Sequence, residues 1–284
     1  MKKGRPLGLG MLGVIAGLML LGQPGVSAAA ATADNYGGRS MSVYVPARMP
    51  PAGERALVVM LHGAGGNGRH VEQGMSARPS SLDGAAEKNG FVVAYLNGTP
   101  IARALGPDRL GWNAGGGCCG QPALNNVDDV GYIKGAVDYL AGKYGIDRSR
   151  IFGMGDSNGA MMTQRLMCET SLYAAAVAVS GPLTLNANSC PAARGKRILA
   201  IHGADDQNVP MAGGQGSRGA SRFRFTSQEQ SRQVFANSGA SFTLISVPGA
   251  GHRYGEVDDR MKQAGGVSVV DKAVDFFGLG GAAR

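Results

Sequence analysis

The chain has 284 residues, a formal net charge of +8, 47 glycines, four cysteines and a single tryptophan. Its lysines and arginines form no cluster with interleaved aromatics, which excludes a nucleic-acid-binding module and leaves the charge as a solubility device. About 250 residues follow an N-terminal leader, enough for one large α/β domain with a full core.

The leader is read over residues 1–33. Lys2, Lys3 and Arg5 form a positive start, Leu7 to Leu21 is apolar, and Ala28 to Ala33 offers Ala-x-Ala cleavage sites. That is the pattern of a secretory signal peptide. The apolar run is short for a membrane span and passes directly into small residues. No cysteine lies near the cleavage region, so no lipid anchor is expected there. The mature part, 34–284, is then one catalytic domain without a membrane anchor, secreted or periplasmic, and a monomer.

Ser40 to Val45 alternates polar and apolar residues and predicts an edge strand. Ala56 to Leu61 is continuously apolar, as a central parallel strand covered on both faces must be. It runs into His62-Gly63-Ala64-Gly65-Gly66. Ser81 to Asn89 predicts a short helix stopped by Gly90, and Phe91 to Leu96 a second buried strand. Asn97 to Asn126 is a long Gly-, Pro- and Asn-rich loop that holds Trp112, Cys118 and Cys119; such length points to function. Val127, Val130, Ile133, Val137, Leu140 and Tyr144 recur at helical spacing up to Gly145. Strands follow at 151–154, 174–179, 197–201 and 243–247, with helices after Ser157, at 226–237 and at 267–277. Strands alternating with helices mean a mostly parallel central sheet with helices on both faces. No long insertion separates Val179 from Arg197, so no large lid is expected.

Cys118, Cys119, Cys168 and Cys190 in an exported chain predict two disulfides. Pairing of the adjacent residues is disfavoured by ring geometry, so the reading joins Cys118 and Cys119 each to one of Cys168 and Cys190. A zinc site lacks a second ligand pair and a nearby histidine, so no metal is expected.

The chemistry centres on Gly155-Asp156-Ser157-Asn158-Gly159, a Gly-x-Ser-x-Gly string between an apolar strand and a helix. In so glycine-rich a chain the string alone means little; the strand-turn-helix context makes it a nucleophile elbow with an exposed Ser157 hydroxyl. A serine needs an imidazole to take its proton and a carboxylate to orient that imidazole. Of the four histidines, only His252 follows Ser157 with room for an acid between them. The acids in that interval are Glu169, Asp205, Asp206 and Glu229. Asp205 and Asp206 follow a strand, and Asp206 is preferred, with Asp205 a turn residue. Two backbone N–H groups should hold an oxyanion. One is assigned to Asn158, and the other to Ala64, with Gly63 second and also facing substrate. Asp128 and Asp129 are read as structural residues at a helix start.

Leu61-His62-Gly63, Gly111-Trp112-Asn113-Ala114, Cys118-Cys119-Gly120, Val127 to Ile133, Gly155 to Met162, His202-Gly203-x-x-Asp206-x-x-Val209-Pro210 and Gly251-His252 stand in this order. Together they resemble the secreted polyhydroxybutyrate depolymerase and feruloyl esterase family of α/β-hydrolases, over essentially the whole mature chain. The resemblance implies the α/β-hydrolase fold, the acid at Asp206, no cofactor, and a serine esterase acting on hydroxyalkanoate or on feruloyl and acetyl-polysaccharide esters. Two departures stand out. Arg253-Tyr254-Gly255-Glu256 replaces the family's Trp-Pro-Gly type segment after the histidine, and the chain ends at Arg284 without a polymer-binding domain. The first bears on substrate preference and leaves the base in place; the second turns the expectation toward soluble esters or oligomers. Trp112 is assigned to the substrate pocket as an aryl or sugar wall. The alternatives are an acyltransferase on the same fold, a peptidase, and a non-catalytic carbohydrate-binding protein.

Overall fold

The apolar runs of the sequence become neighbouring strands of one eight-stranded sheet in the computed structural model, which describes Met1 and residues 30–76, 81–218 and 222–281. The strands are β1 (Ala30–Tyr36), β2 (Arg39–Val45), β3 (Arg55–Leu61), β4 (Val92–Leu96), β5 (Ile146–Asp156), β6 (Ala175–Val179), β7 (Arg197–Gly203) and β8 (Ser241–Val247). Their spatial order is β1-β2-β4-β3-β5-β6-β7-β8. The first two pairings, β1 with β2 and β2 with β4, are antiparallel, and every later pairing is parallel.

Two cores explain why these strands read as unbroken apolar runs. Leu57, Val59 and Leu61 of β3 and Val92, Ala94 and Leu96 of β4 enter one core. Val58, Met60, Val93 and Tyr95, the residues between them, enter the other. The first core is closed by α4 (Asp129–Tyr144) and α5 (Asn158–Glu169), through Ile133, Val137, Leu140, Met162 and Leu166. The second is closed by α2 (Leu82–Asn89) and α8 (Val269–Phe277), through Leu82, Ala86, Val270, Ala273 and Phe277. Each large apolar side chain so buried contributes about 1.5–3 kcal/mol.

Local chemistry sets the helix ends. Ser81 caps α2 by accepting the Gly84 N–H, and Gly90 ends it at φ 73°. Asp128 caps α4 by accepting the Gly131 N–H at 2.8 Å. Reciprocal capping boxes open α6 (Gln228–Asn237) at Ser227/Gln230 and α8 at Ser268/Asp271. Asp129 is buried, pairs with Arg39 and accepts the Asn113 N–H at 2.7 Å, so both aspartates at this helix start are structural.

Four expectations need correction or addition. The 40–45 strand is not at the edge: β1 covers it, with Ala30–Ala33 already paired to Ser42–Val45. The ladder thus begins inside the stretch assigned to the leader, whose residues 2–29 lie outside the described ones. Two helices escaped the sequence reading, α1 (Gly68–Ser76) and α7 (Tyr254–Gly265). Each carries two glycines, and α7 buries only Val257 and Asp258, too few for an apolar period to register. The remaining helix, α3 (Gly120–Leu124), is a single turn inside the long loop.

The disulfide pairing is also different: Cys118 is bonded to Cys119, and Cys168 to Cys190. Helix length is the reason. The Cys118 sulfur lies 3.6 Å from Met161 in the first turn of α5. Cys168 sits seven residues further, about 10 Å along the axis, beyond disulfide reach. At that end it meets Cys190, with Cα atoms 4.4 Å apart. Between β6 and β7 the described chain holds only a 3-10 turn, Pro191–Ala193, so no lid helix crosses there.

Candidate active site

β5 ends at Asp156 and α5 begins at Asn158, leaving Ser157 alone to reverse the chain. It does so at φ 52°, ψ −118°, a conformation non-glycine residues rarely hold. Its hydroxyl makes no capping bond to the helix and is free to face the rim of the sheet. There Ser157 Oγ lies 2.9 Å from His252 Nε2. His252 stands on the short loop between β8 and α7, and its Nδ1 is 2.7 Å from Asp206 Oδ2. Asp206 follows β7, its carboxyl fully buried. The structure thus brings together the three residues that the sequence singled out from three strand ends. The rival acids are elsewhere: Asp205 is exposed, and Glu169 and Glu229 pair with Arg165 and Arg232 on the surface.

Protonation follows from surroundings. Burial opposes charge on His252, but the Asp206 hydrogen bond and charge, with smaller help from Asp156 and Glu256, raise its pKa above the ordinary imidazole value. Burial likewise opposes charge on Asp206; its bonds to His202, His252 and the Val209 N–H win and hold the carboxyl far below the usual range. Asp206 therefore stays ionised and His252 holds its Nδ1–H toward it.

The strand order, with its antiparallel start and six parallel strands, and the serine on a positive-φ elbow between strand and helix decide the fold. The chain has the α/β-hydrolase fold. The phospholipase/carboxylesterase family profile matches residues 128–243. Feruloyl esterase B of Neurospora crassa is 31% identical over 176 residues, covering 59% of this chain and 53% of the relative. Feruloyl esterase B of Thermothelomyces thermophilus is 30% identical over 139 residues, covering 47% and 40%. The chain spans about half the length of the curated relatives it matches. The crystal structure of a Bacillus cereus carboxylesterase superposes with a TM-score of 0.57 at 18% identity, covering 84% of this chain and 93% of that one.

The β3–α1 loop approaches the elbow from the other side. A Cβ on Gly63 would stand 3.3 Å from the Ser157 Cβ, so this glycine lies directly beside the nucleophile. Buried His62 braces the loop: its Nε2 accepts the Gly98 N–H at 3.1 Å, leaving Nδ1–H to donate to Gly63 O at 2.8 Å. Burial lowers this imidazole to a pKa of about 4, so it stays neutral. Gly63 O also accepts the Gly66 N–H. In a trans peptide the Ala64 N–H points opposite to that carbonyl, away from those partners. At the start of α5 the Asn158 N–H is one of the helix's unpaired donors.

Trp112 is not a pocket wall. Its ring is fully buried, and Nε1 donates to His62 O at 3.0 Å. Its backbone is clamped by Asn158, whose Oδ1 accepts the Trp112 N–H at 2.7 Å and whose Nδ2 donates to Trp112 O at 3.1 Å. The indole thus anchors the 97–126 loop to the elbow and the β3 end, leaving no ring face for a substrate.

Asp156, between Gly155 and the nucleophile, went unremarked in the sequence because the motif's second position is free. Its Oδ1 is buried without a hydrogen-bond partner. Burial pushes the carboxyl up to about 6, with Asp206 adding to the rise and His252 opposing it. A carboxyl whose folded pKa is raised stabilises the fold below its unfolded value and loses that contribution as pH climbs through the folded one. Asp156→Asn should therefore be more stable than the parent at about pH 8, by about 1–3 kcal/mol. The gain should vanish below about pH 4. Urea denaturation at the two pH values checks it, and equal effects at both would contradict a buried, raised carboxyl.

Proposed function

We propose that the chain is a serine carboxylic-ester hydrolase that works through an acyl-enzyme on Ser157. The observation that carries the reading is the unbroken relay Ser157 Oγ, His252, Asp206, at 2.9 and 2.7 Å, on a strained elbow. Its two hydrogen bonds leave one productive direction for the proton. Ser157 Oγ attacks the ester carbonyl as His252 Nε2 takes its proton, and ionised Asp206 stabilises the imidazolium. The N–H groups of Asn158 and Ala64 receive the oxyanion. Collapse expels the alcohol, which takes the proton from His252. Water then repeats the sequence on the acyl-enzyme, releasing the acid and restoring Ser157. No step needs a metal or organic cofactor.

The substrate class proposed is an acyl ester of the feruloyl or acetyl-polysaccharide type, or a hydroxyalkanoate oligomer. The likeness to the feruloyl esterases supports the first. Among the described residues the β6–β7 crossover holds only a 3-10 turn and no lid helix, which supports access by bulky alcohols. Export by the N-terminal leader is part of the proposal, and two disulfides support it.

A fluorophosphonate probe should label one residue, Ser157, located by peptide mass spectrometry. Turnover should be compared on methyl ferulate, short p-nitrophenyl esters and hydroxybutyrate oligomers. Labelling at Ser157 with ester turnover supports the reading; no labelling, or labelling elsewhere, defeats it.

A further inference from the structure

Asp206 is held by more than the relay. Oδ1 accepts two backbone N–H groups, from Asn208 at 2.8 Å and Val209 at 2.9 Å. Oδ2 faces two imidazoles, His252 Nδ1 at 2.7 Å and His202 Nε2 at 3.0 Å. His202 is fully buried near the end of β7. Its Nε2 also lies 2.9 Å from Val209 O. A carboxylate and a carbonyl can only accept, so this nitrogen carries the hydrogen. On the far side of the ring, Gln228 Nε2, in the first turn of α6, lies 2.8 Å from Nδ1 and donates to it. Every polar atom of His202 is thereby used with the ring neutral.

We propose that His202 is a positioning residue: a neutral imidazole, locked by Gln228 in the Nε2–H tautomer, that fixes the Asp206 carboxylate on its line to His252. The proposal rests on the esterase reading for its kinetic test and stands apart from it for its spectroscopic one. A carboxylate with donors on one oxygen alone can rotate about its Cβ–Cγ bond. With two donors on Oδ1 and His202 on Oδ2, the plane is set before His252 arrives. The same bond withdraws charge from Oδ2, so the proton stays on His252 during the reaction. The other groups facing His252 are Asp156 at the end of β5 and Glu256 in the first turn of α7. Both carry acidic charge and leave the orientation of Asp206 to His202.

His202→Phe keeps the ring volume and removes the donor. His202→Gln puts an amide N–H within similar reach. On a p-nitrophenyl ester, His202→Phe should lose about 10- to 100-fold in kcat with KM within about threefold, the scale of one hydrogen bond to a charged group. With Asp206 charge no longer shared, His252 gains, so the acid limb of kcat/KM should move up by about half to one pH unit. His202→Gln should recover most of the kcat loss. A kcat within about threefold of the parent in His202→Phe overturns the proposal, as does an equal loss in both variants with the limb unmoved. Nitrogen-15 NMR of the histidines in the parent decides the tautomer even if His202→Phe does not fold. At the pH of the kinetic assays an Nε2–H ring with an unprotonated Nδ1 is expected; an imidazolium or an Nδ1–H ring overturns the proposal. An inactive parent would sink the esterase reading while that spectrum still decided the state of His202.

Discussion

Asp206→Asn is expected to lower kcat on a short aryl ester by about 10⁴-fold, with KM nearly unchanged. The argument is a count of donors and acceptors. Asp206 receives four hydrogens, two on each oxygen: the Asn208 and Val209 N–H groups on Oδ1, His252 and His202 on Oδ2. An asparagine offers one oxygen and one amide nitrogen that cannot accept. If its oxygen serves the backbone, the NH2 confronts both imidazoles, and His252 must turn its unprotonated Nδ1 toward it. The hydrogen then sits on Nε2, where the base should be empty to receive the Ser157 proton. If the oxygen serves the imidazoles, the NH2 confronts two N–H groups and the loop after β7 loses its turn. Active-site titration with a fluorophosphonate, alongside steady-state rates, separates slow chemistry from lost protein. A kcat within tenfold of the parent would show that Asp206 does not orient His252.

Gly159→Ala is expected to cost at least about 3 kcal/mol and to leave little soluble protein, the upper range for overpacking a filled site. The added Cβ would sit 2.1 Å from Leu61 O and 2.6 Å from His62 O, both backbone atoms at the end of β3. Neither can swing aside as a side chain could. The helix that Ser157 starts would have to leave the strand that carries the His62-Gly63-Ala64 loop. Gly142→Ala is the control: it lies exposed on α4, and an added Cβ meets nothing within 4 Å. There alanine should be neutral or stabilise by up to about 1 kcal/mol. Urea titration of the two variants compares them, and similar midpoints would refute the close approach at the elbow.

What was legible in the sequence follows the range of the forces. Buried parallel strands must be apolar on both faces, so Ala56–Leu61 and Phe91–Leu96 announced themselves. Ser157 was legible because a tight strand-to-helix reversal needs glycines at fixed offsets, and His252 because chain order left no rival. Asp205 and Asp206 stood out together by their place after a strand, the family resemblance points to Asp206, four residues after His202, and its burial agrees with that preference. Trp112 was misassigned because composition cannot tell a ring that packs from one that waits for a ligand; its bond to His62 O spans 50 residues of chain. The cysteines were mispaired because local ring geometry was weighed and the length of α5 was not. Gln228 carried no signal at all: its use depends on α6 entering beside β7, which no short-range pattern records.

The clasp between Asn158 and Trp112 has a practical consequence for rebuilding this protein. The residue that follows the nucleophile also fastens the loop 97–126 through both polar atoms of its amide. Loop and elbow therefore form one exchangeable cassette. A chimera that imports the corresponding loop of a known esterase has to import that loop's partner at position 158, or keep the Trp112 backbone in place. Swapping the loop alone would leave a buried amide with nothing to hold, and catalytic geometry would suffer although no reacting residue had changed.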